Sequence, residues 1–214
     1  MPNPGLPPLL RRYALNVSEA IRERRSHKFF DPSHKMSEAE ITRLIEHAVL
    51  SPTAFNIQNW RFVRVDDPQL RREIRLAAWD QPQITDASLL LVLCMDLQAW
   101  NREPERYWRN APEEVARAMA SQIRDFYRGD PQAQRDEGMR SCALAAMNLM
   151  LMAREMGYDS CPMDGFDFKR VAHLIQLPPD HAICMILCIG KSLREPFPRA
   201  GQIDLDEVYI RNGF

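Results

Sequence analysis

The sequence predicts an α+β fold, a few strands gathered in one sheet among six or so helices. Three observations carry that expectation. Two apolar runs of strand length, 87–96 (ASLLLVLCMD) and 181–190 (HAICMILCIG), read as buried central strands. The segments around them place apolar residues at helical spacing behind capping residues. The third is 132–156, a long helix whose middle, SCALAAMNLMLMA, is apolar almost all round. Such a helix must be covered on every side, and in a chain this short that calls for a second subunit.

Residues 1–12, with four prolines and one glycine, read as an extended arm. Asn16 and Glu19 have capping-box spacing and open a first helix to about Arg24, after which RRSHKFFDP turns the chain. Ser37 and Glu40 form a second box, with Met36 and Ile41 spaced as a hydrophobic staple. Ile41, Leu44, Ile45, Ala48 and Val49 then make one apolar face, ended by Ser51-Pro52. After the loop SPTAFNIQN, WRFVRVDD (60–67) alternates like a strand. Asp67-Pro68 starts a helix to about Trp79. Residues 99–111 are aromatic-rich without a period, and 112–128 is helical with Gly129 as its stop. Gly157 ends the long helix, YDSC is a short strand, PMDGF a loop, and Asp167 caps a helix closed by Pro178-Pro179. The tail, 191–214, alternates Ile203, Leu205, Val208 and Ile210, so a final strand docked on a neighbour is expected.

The 214 residues suit one compact domain, spanning 1–214. With 28 basic and 29 acidic side chains the net charge is -1, which argues against a protein that coats nucleic acid or a membrane surface. The five cysteines are scattered without a C-x-x-C pair, as expected of free thiols in a reducing cytosol. MPNPGLPPLLRRYALN lacks a signal-peptide core, and no apolar stretch approaches the ~20 residues of a membrane span. A cytoplasmic location is expected. The five histidines show no ligand spacing, so no metal site is expected, and there is no glycine-rich phosphate loop or nucleophile motif.

Four stretches carry polar groups in suggestive patterns. In RERRSHKFF, Arg24, Arg25 and Lys28 crowd around Ser26, a set able to bind an anion with charge-assisted hydrogen bonds. A solvated basic helix end would use the same residues. Phe29 and Phe30 are expected to bury and draw the cluster toward an interior edge. In SPTAFNIQNW, Asn56, Gln58 and Asn59 supply both donors and acceptors, which suits a ring edge alternating C=O and N–H. They would equally serve a hydrogen-bonded turn. CPMDGFD places Gly165 after Asp164, where a backbone can approach a ligand closely or simply turn. KSLREPFPRAGQ contributes Arg194 and Arg199, which alone read as surface. A binding module using Arg22, Arg24 and Arg25 on nucleic acid is the competing class, and it would bind with steep salt dependence.

Together, in this order, the four stretches resemble the FMN-dependent nitroreductase family over roughly 16–210. RRSHKFF looks like its "RRS-x-R/K-x-F" signature and SPTAFNIQNW like its "SP-(S/T)-x-x-N-x-Q-P-W" loop, with Asn59 in place of the usual proline. CPMDGFD is similar to its glycine-containing loop, and FPRAGQIDLDEV to its basic C-terminal motif. The resemblance implies a mostly antiparallel central sheet flanked by helices, in an intertwined homodimer with two FMN at the interface and 191–214 packed on the partner. It implies that Arg24, Arg25 and Ser26 contact FMN phosphate, ribityl chain and pyrimidine edge. Lys28 and Asn56, with Gln58 weaker, would bind the pyrimidine side, and Arg199 the phosphate. Pro162, Asp164 and Gly165 would lie over the flavin near N5. It further implies NADH or NADPH as electron donor, a small electron-poor acceptor such as a nitroaromatic or quinone, and no side-chain nucleophile. Phe126 and Tyr127 are candidates for the substrate face from the other subunit, with core packing the simpler account of both. The scaffold also hosts ene reduction, dehalogenation and oxidation, so likeness of fold leaves the acceptor open.

Overall fold

A computed structural model describes residues 16–214, so the arm expected over 1–12 lies outside the described residues. Helix α1 (Val17–Glu23) opens with both halves of its capping box: Glu19 N donates to Asn16 Oδ1 at 3.0 Å and Asn16 N to Glu19 Oε2 at 3.1 Å. Helix α2 (Glu38–Ala48) repeats the device with Ser37 and Glu40, and the stapling residues Met36 and Ile41 both bury. Then follow β1 (Trp60–Arg64), α3 (Pro68–Ala77), α4 (Gln83–Asp86), β2 (Leu89–Asp96), a 3-10 turn at Pro104–Trp108, α5 (Glu113–Tyr127), α6 (Pro131–Glu155), β3 (Asp159–Met163), α7 (Phe168–Leu174), β4 (His181–Gly190) and α8 (Leu205–Val208).

The four strands form one sheet in the order β1-β2-β4-β3, every pair antiparallel. A parallel bridge between Ser26 and Ser160 adds the chain after α1 to the β3 edge. Every residue of β2 is buried, because both faces of the sheet are covered. Leu90, Val92 and Cys94 face a core with Ile74 of α3 and Val171 of α7. Leu89, Leu91 and Leu93 face the other way, against Leu44 of α2 and Leu149 of α6. This is why the strand reads as an unbroken apolar run. Helix α6 crosses β2 at Gly138, where an added Cβ would lie 2.5 Å from Met95 Sδ and 2.9 Å from its Cβ. Only glycine lets the helix sit that close.

Several expectations shift. β3 continues through Pro162 and Met163, which sequence alone assigned to a loop. It is an edge strand, where a missing N–H costs no ladder bond. β1 stops at Arg64, because Asp67 turns to accept from Leu70 N at 2.7 Å as the N-cap of α3. Phe30 is 1% exposed but Phe29 is 37% exposed, since successive side chains of an extended segment face opposite ways. The turn α4 and the 3-10 turn are too short to show a period. The tail forms no strand in this chain. Its exposed apolar residues have no sheet neighbour, and Glu207 N and Tyr209 N instead bond locally to Asp204 O and Leu205 O. Helix α6 is covered by the sheet, by α2 and α1 and in part by α5, and Leu144 and Met147 remain exposed at 47% and 42%. Among the described residues no helix is long and apolar enough to cross a membrane.

Candidate functional site

The basic motif sits where α1 ends, at the β3 edge. His27 N donates to Ser160 O at 3.0 Å, which pins the motif's backbone to the strand. The His27 ring is buried, with Nε2 3.2 Å from Asp159 Oδ1. That leaves Arg24, Arg25, Ser26 and Lys28 lining a cleft of about 350 Å³ with Pro198, Arg199 and Gln202 of the tail. The tail is held there by the motif itself. Arg199 Nη2 donates to the carbonyls of Arg22 and Arg24, both at 3.2 Å, at the negative end of α1, and Arg25 donates to the Phe197 carbonyl. No carboxylate is among the lining residues. Burial, then Arg199 and Arg25, press the Arg24 pKa below the ordinary guanidinium value. Arg194 turns elsewhere, its guanidinium 4.5 Å from the Phe29 ring centre.

Beside this cleft lies the end of β3. Burial pushes the Cys161 thiol up to about 11, while Lys28 and Gln83 oppose the rise. Asp164 is exposed just beyond the strand. A Cβ on Gly165 would lie 3.1 Å from Trp79 Cζ3, so the glycine makes room for an aromatic ring that is itself 69% exposed. Gln81 Nε2 donates to Gly165 O at 2.9 Å. Gln83 is buried, and its Oε1 has no hydrogen-bond partner among the described residues. The sequence reading missed Trp79, Gln81, Gln83 and His27. The dense amide-and-proline run WDQPQ at a helix end was the available signal.

Asn56 and Gln58 lie elsewhere. They precede β1 on the opposite edge, in a loop where Phe55, Asn56 and Gln58 have φ of 53°, 57° and 43°. Asn56 Nδ2 donates to Tyr107 O at 2.8 Å, and Gln58 N to Thr53 Oγ1 at 3.1 Å. Phe126 packs 5.6 Å from Phe55, ring centre to ring centre, and is exposed. Tyr127 is buried beside Ile57 and Ile123. Ser160 stands level with Leu89 through β4, whereas Trp60 pairs with Met95, six residues further along β2. At ~3.3 Å per residue and ~4.8 Å per strand, the two groups occupy diagonal corners roughly 25 Å apart. The fold thus assembles one cationic corner from Arg24, Arg25, Ser26, Lys28, Pro162, Asp164, Gly165 and Arg199. It places Asn56, Gln58 and Phe126 at the other, so one chain does not join them.

The chain is 52% identical over 177 residues to Protein DrgA of Synechocystis sp., covering 83% of this chain and 84% of that protein. It is 31% identical over 182 residues to a Bacillus subtilis protein provisionally named NAD(P)H nitroreductase MhqN, covering 82% and 88%. The CLA biosynthesis enone reductase of Lactiplantibacillus plantarum is 27% identical over 191 residues, covering 85% and 88%. Among solved structures, an Exiguobacterium sibiricum protein assigned as a nitroreductase, in complex with FMN, superposes with a TM-score of 0.85 at 27% identity over 92% of this chain and 97% of that one. The Nitroreductase family model matches residues 21–191. With that match spanning most of the chain and the motifs in place along it, the chain belongs to the Nitroreductase family.

Proposed function

We propose that the protein is an FMN-dependent NAD(P)H oxidoreductase acting on small electron-poor acceptors, nitroaromatics and quinones among them. The observation that carries this is the cleft of Arg24, Arg25, Lys28 and Arg199 with no carboxylate among its lining residues. Like charges crowded together are relieved by a multiply charged anion, and the FMN phosphate is one. These features fit the flavin named in the Exiguobacterium structure.

In this reading Arg24, Arg25, Ser26 and Arg199 hold the phosphate and ribityl end. Lys28 stands at the pyrimidine side, where its charge favours the reduced cofactor. Pro162, Asp164 and Gly165 cover one ring face, and Phe126 from a second copy of the chain flanks the open one. Bound FMN would accept a hydride equivalent from the nicotinamide and pass electrons onward. Donor and acceptor would take the same open face in turn, giving ping-pong kinetics.

Asn56 and Gln58 complete the site from a second copy of the chain. The supporting observations are the diagonal placement of the two corners and the uncovered apolar residues Val17, Ile21, Leu144 and Met147. The tail, with Phe197, Leu205 and Tyr209 exposed, packs on the partner in the same assembly. The purified protein should be yellow, bleach on anaerobic addition of NADPH or NADH, and regain colour with an acceptor. A protein that FMN titration cannot colour would overturn the reading. The enone reductase relative favours including conjugated enones with nitroaromatics and quinones in that acceptor panel.

A further inference from the structure

We propose that Glu137 of α6 is a positioning residue that holds the loop 53–58 in the shape that presents Asn56. This rests on the reading of Asn56 as a flavin contact.

The loop is in a conformation that its own residues resist. Phe55, Asn56 and Gln58 all have left-handed backbones, a region asparagine tolerates but phenylalanine and glutamine resist, and such strain persists only when the surroundings enforce it. Enforcement comes from α6. Ala54 N donates to Glu137 Oε1 at 2.9 Å, at the first residue of the turn that carries Asn56. The same oxygen accepts from Ser141 Oγ at 2.8 Å, which fixes the carboxylate's direction. About two turns beyond Ser141, Asn148 Nδ2 donates to Ser51 Oγ at 2.8 Å and ties down the loop's entry.

Glu137 is an expensive choice for a merely structural contact. It is 6% exposed, and its one charged partner among the described residues, Arg140, approaches Oε2 at 3.3 Å from a largely exposed position. Taking a carboxylate out of water is costly even with these three donors, and an apolar side chain would fill the space without that cost. What an apolar residue lacks is an acceptor for Ala54 N. The neighbouring Gly138 sets the height of α6 over β2 and so brings that acceptor within reach.

The test is FMN titration of the dimeric wild type and of Glu137→Ala, Glu137→Asp and Glu137→Gln, with hydrogen–deuterium exchange followed on peptides spanning 51–59. Alanine removes the acceptor, aspartate keeps the charge but shortens its reach, and glutamine keeps an Oε1 at the same distance. Glu137→Ala and Glu137→Asp should weaken FMN binding by about tenfold or more and speed exchange in the loop. Glu137→Gln should restore affinity to within about threefold of wild type. If the alanine variant does not fold, the aspartate variant carries the comparison. Wild-type affinity in the alanine or aspartate variant overturns the proposal, as does a glutamine variant as weak as alanine. A wild type that binds no FMN fails the flavin reading itself, and that shows in the first titration.

Discussion

At the scale of single residues, the cationic corner is built by mutual support. Arg199 satisfies carbonyls at the end of α1 while adding charge to a cleft whose Arg24 is already held below its usual pKa. Each guanidinium is therefore costly without an anion and valuable with one. Replacing Arg199 by Gln should weaken FMN binding by roughly 10- to 100-fold, the worth of one charge-assisted contact. Fluorescence titration at two salt concentrations checks it, and the loss should shrink as salt rises. The legibility of this corner in the sequence was uneven. Arg24, Arg25, Ser26 and Lys28 are contiguous, so their type and spacing announce a site. Gln83 and Trp79 were not legible, because the burial of one and the packing of the other on Gly165, 86 residues along, arise only in the folded chain.

At the scale of elements, the caps and faces were the readable part. Both capping boxes form as their spacing requires, and both central strands lie within a residue or two of their apolar runs. What sequence cannot carry is partnership. The alternating apolar residues of the tail suit a strand only when another strand is present, and without one the chain curls into a helical turn. Tyr158 gives α2 a further tie, since its hydroxyl donates to Glu40 Oε1 at 2.6 Å. That hydrogen bond, with those from Ser37, lowers the Glu40 pKa from 4.5 to about 2. A carboxyl lowered in the folded state contributes stability above its unfolded pKa and loses it as pH falls toward the folded value. The stability gap between wild type and Tyr158→Phe should thus be full above about pH 4.5 and close progressively toward pH 2. Urea unfolding midpoints across that range measure it. A gap independent of pH would remove Glu40 from the account.

At the scale of the whole molecule, the two corners lie at opposite ends of a sheet diagonal, and α6 leaves Leu144 and Met147 uncovered between α1 and solvent. In the dimer proposed above, a twofold axis would bring each cationic corner to the amide loop of the other chain. Leu144→Glu should then shift the protein toward monomers in sedimentation and cost it bound flavin at the same time. The Glu137 tie belongs to this assembly too, since the loop it steadies would serve the partner's cofactor.

In the proposed dimer each cofactor site is shared between two chains. A mixed dimer tests it directly, with one subunit carrying Arg25→Glu and Arg199→Glu and the other carrying Asn56→Glu. Each variant alone should form a colourless dimer. In the mixed dimer one site collects both defects and the other collects none, so one bound FMN per dimer is expected by absorbance. A mixed dimer as colourless as its parents would place both corners in the same chain's site and contradict the account.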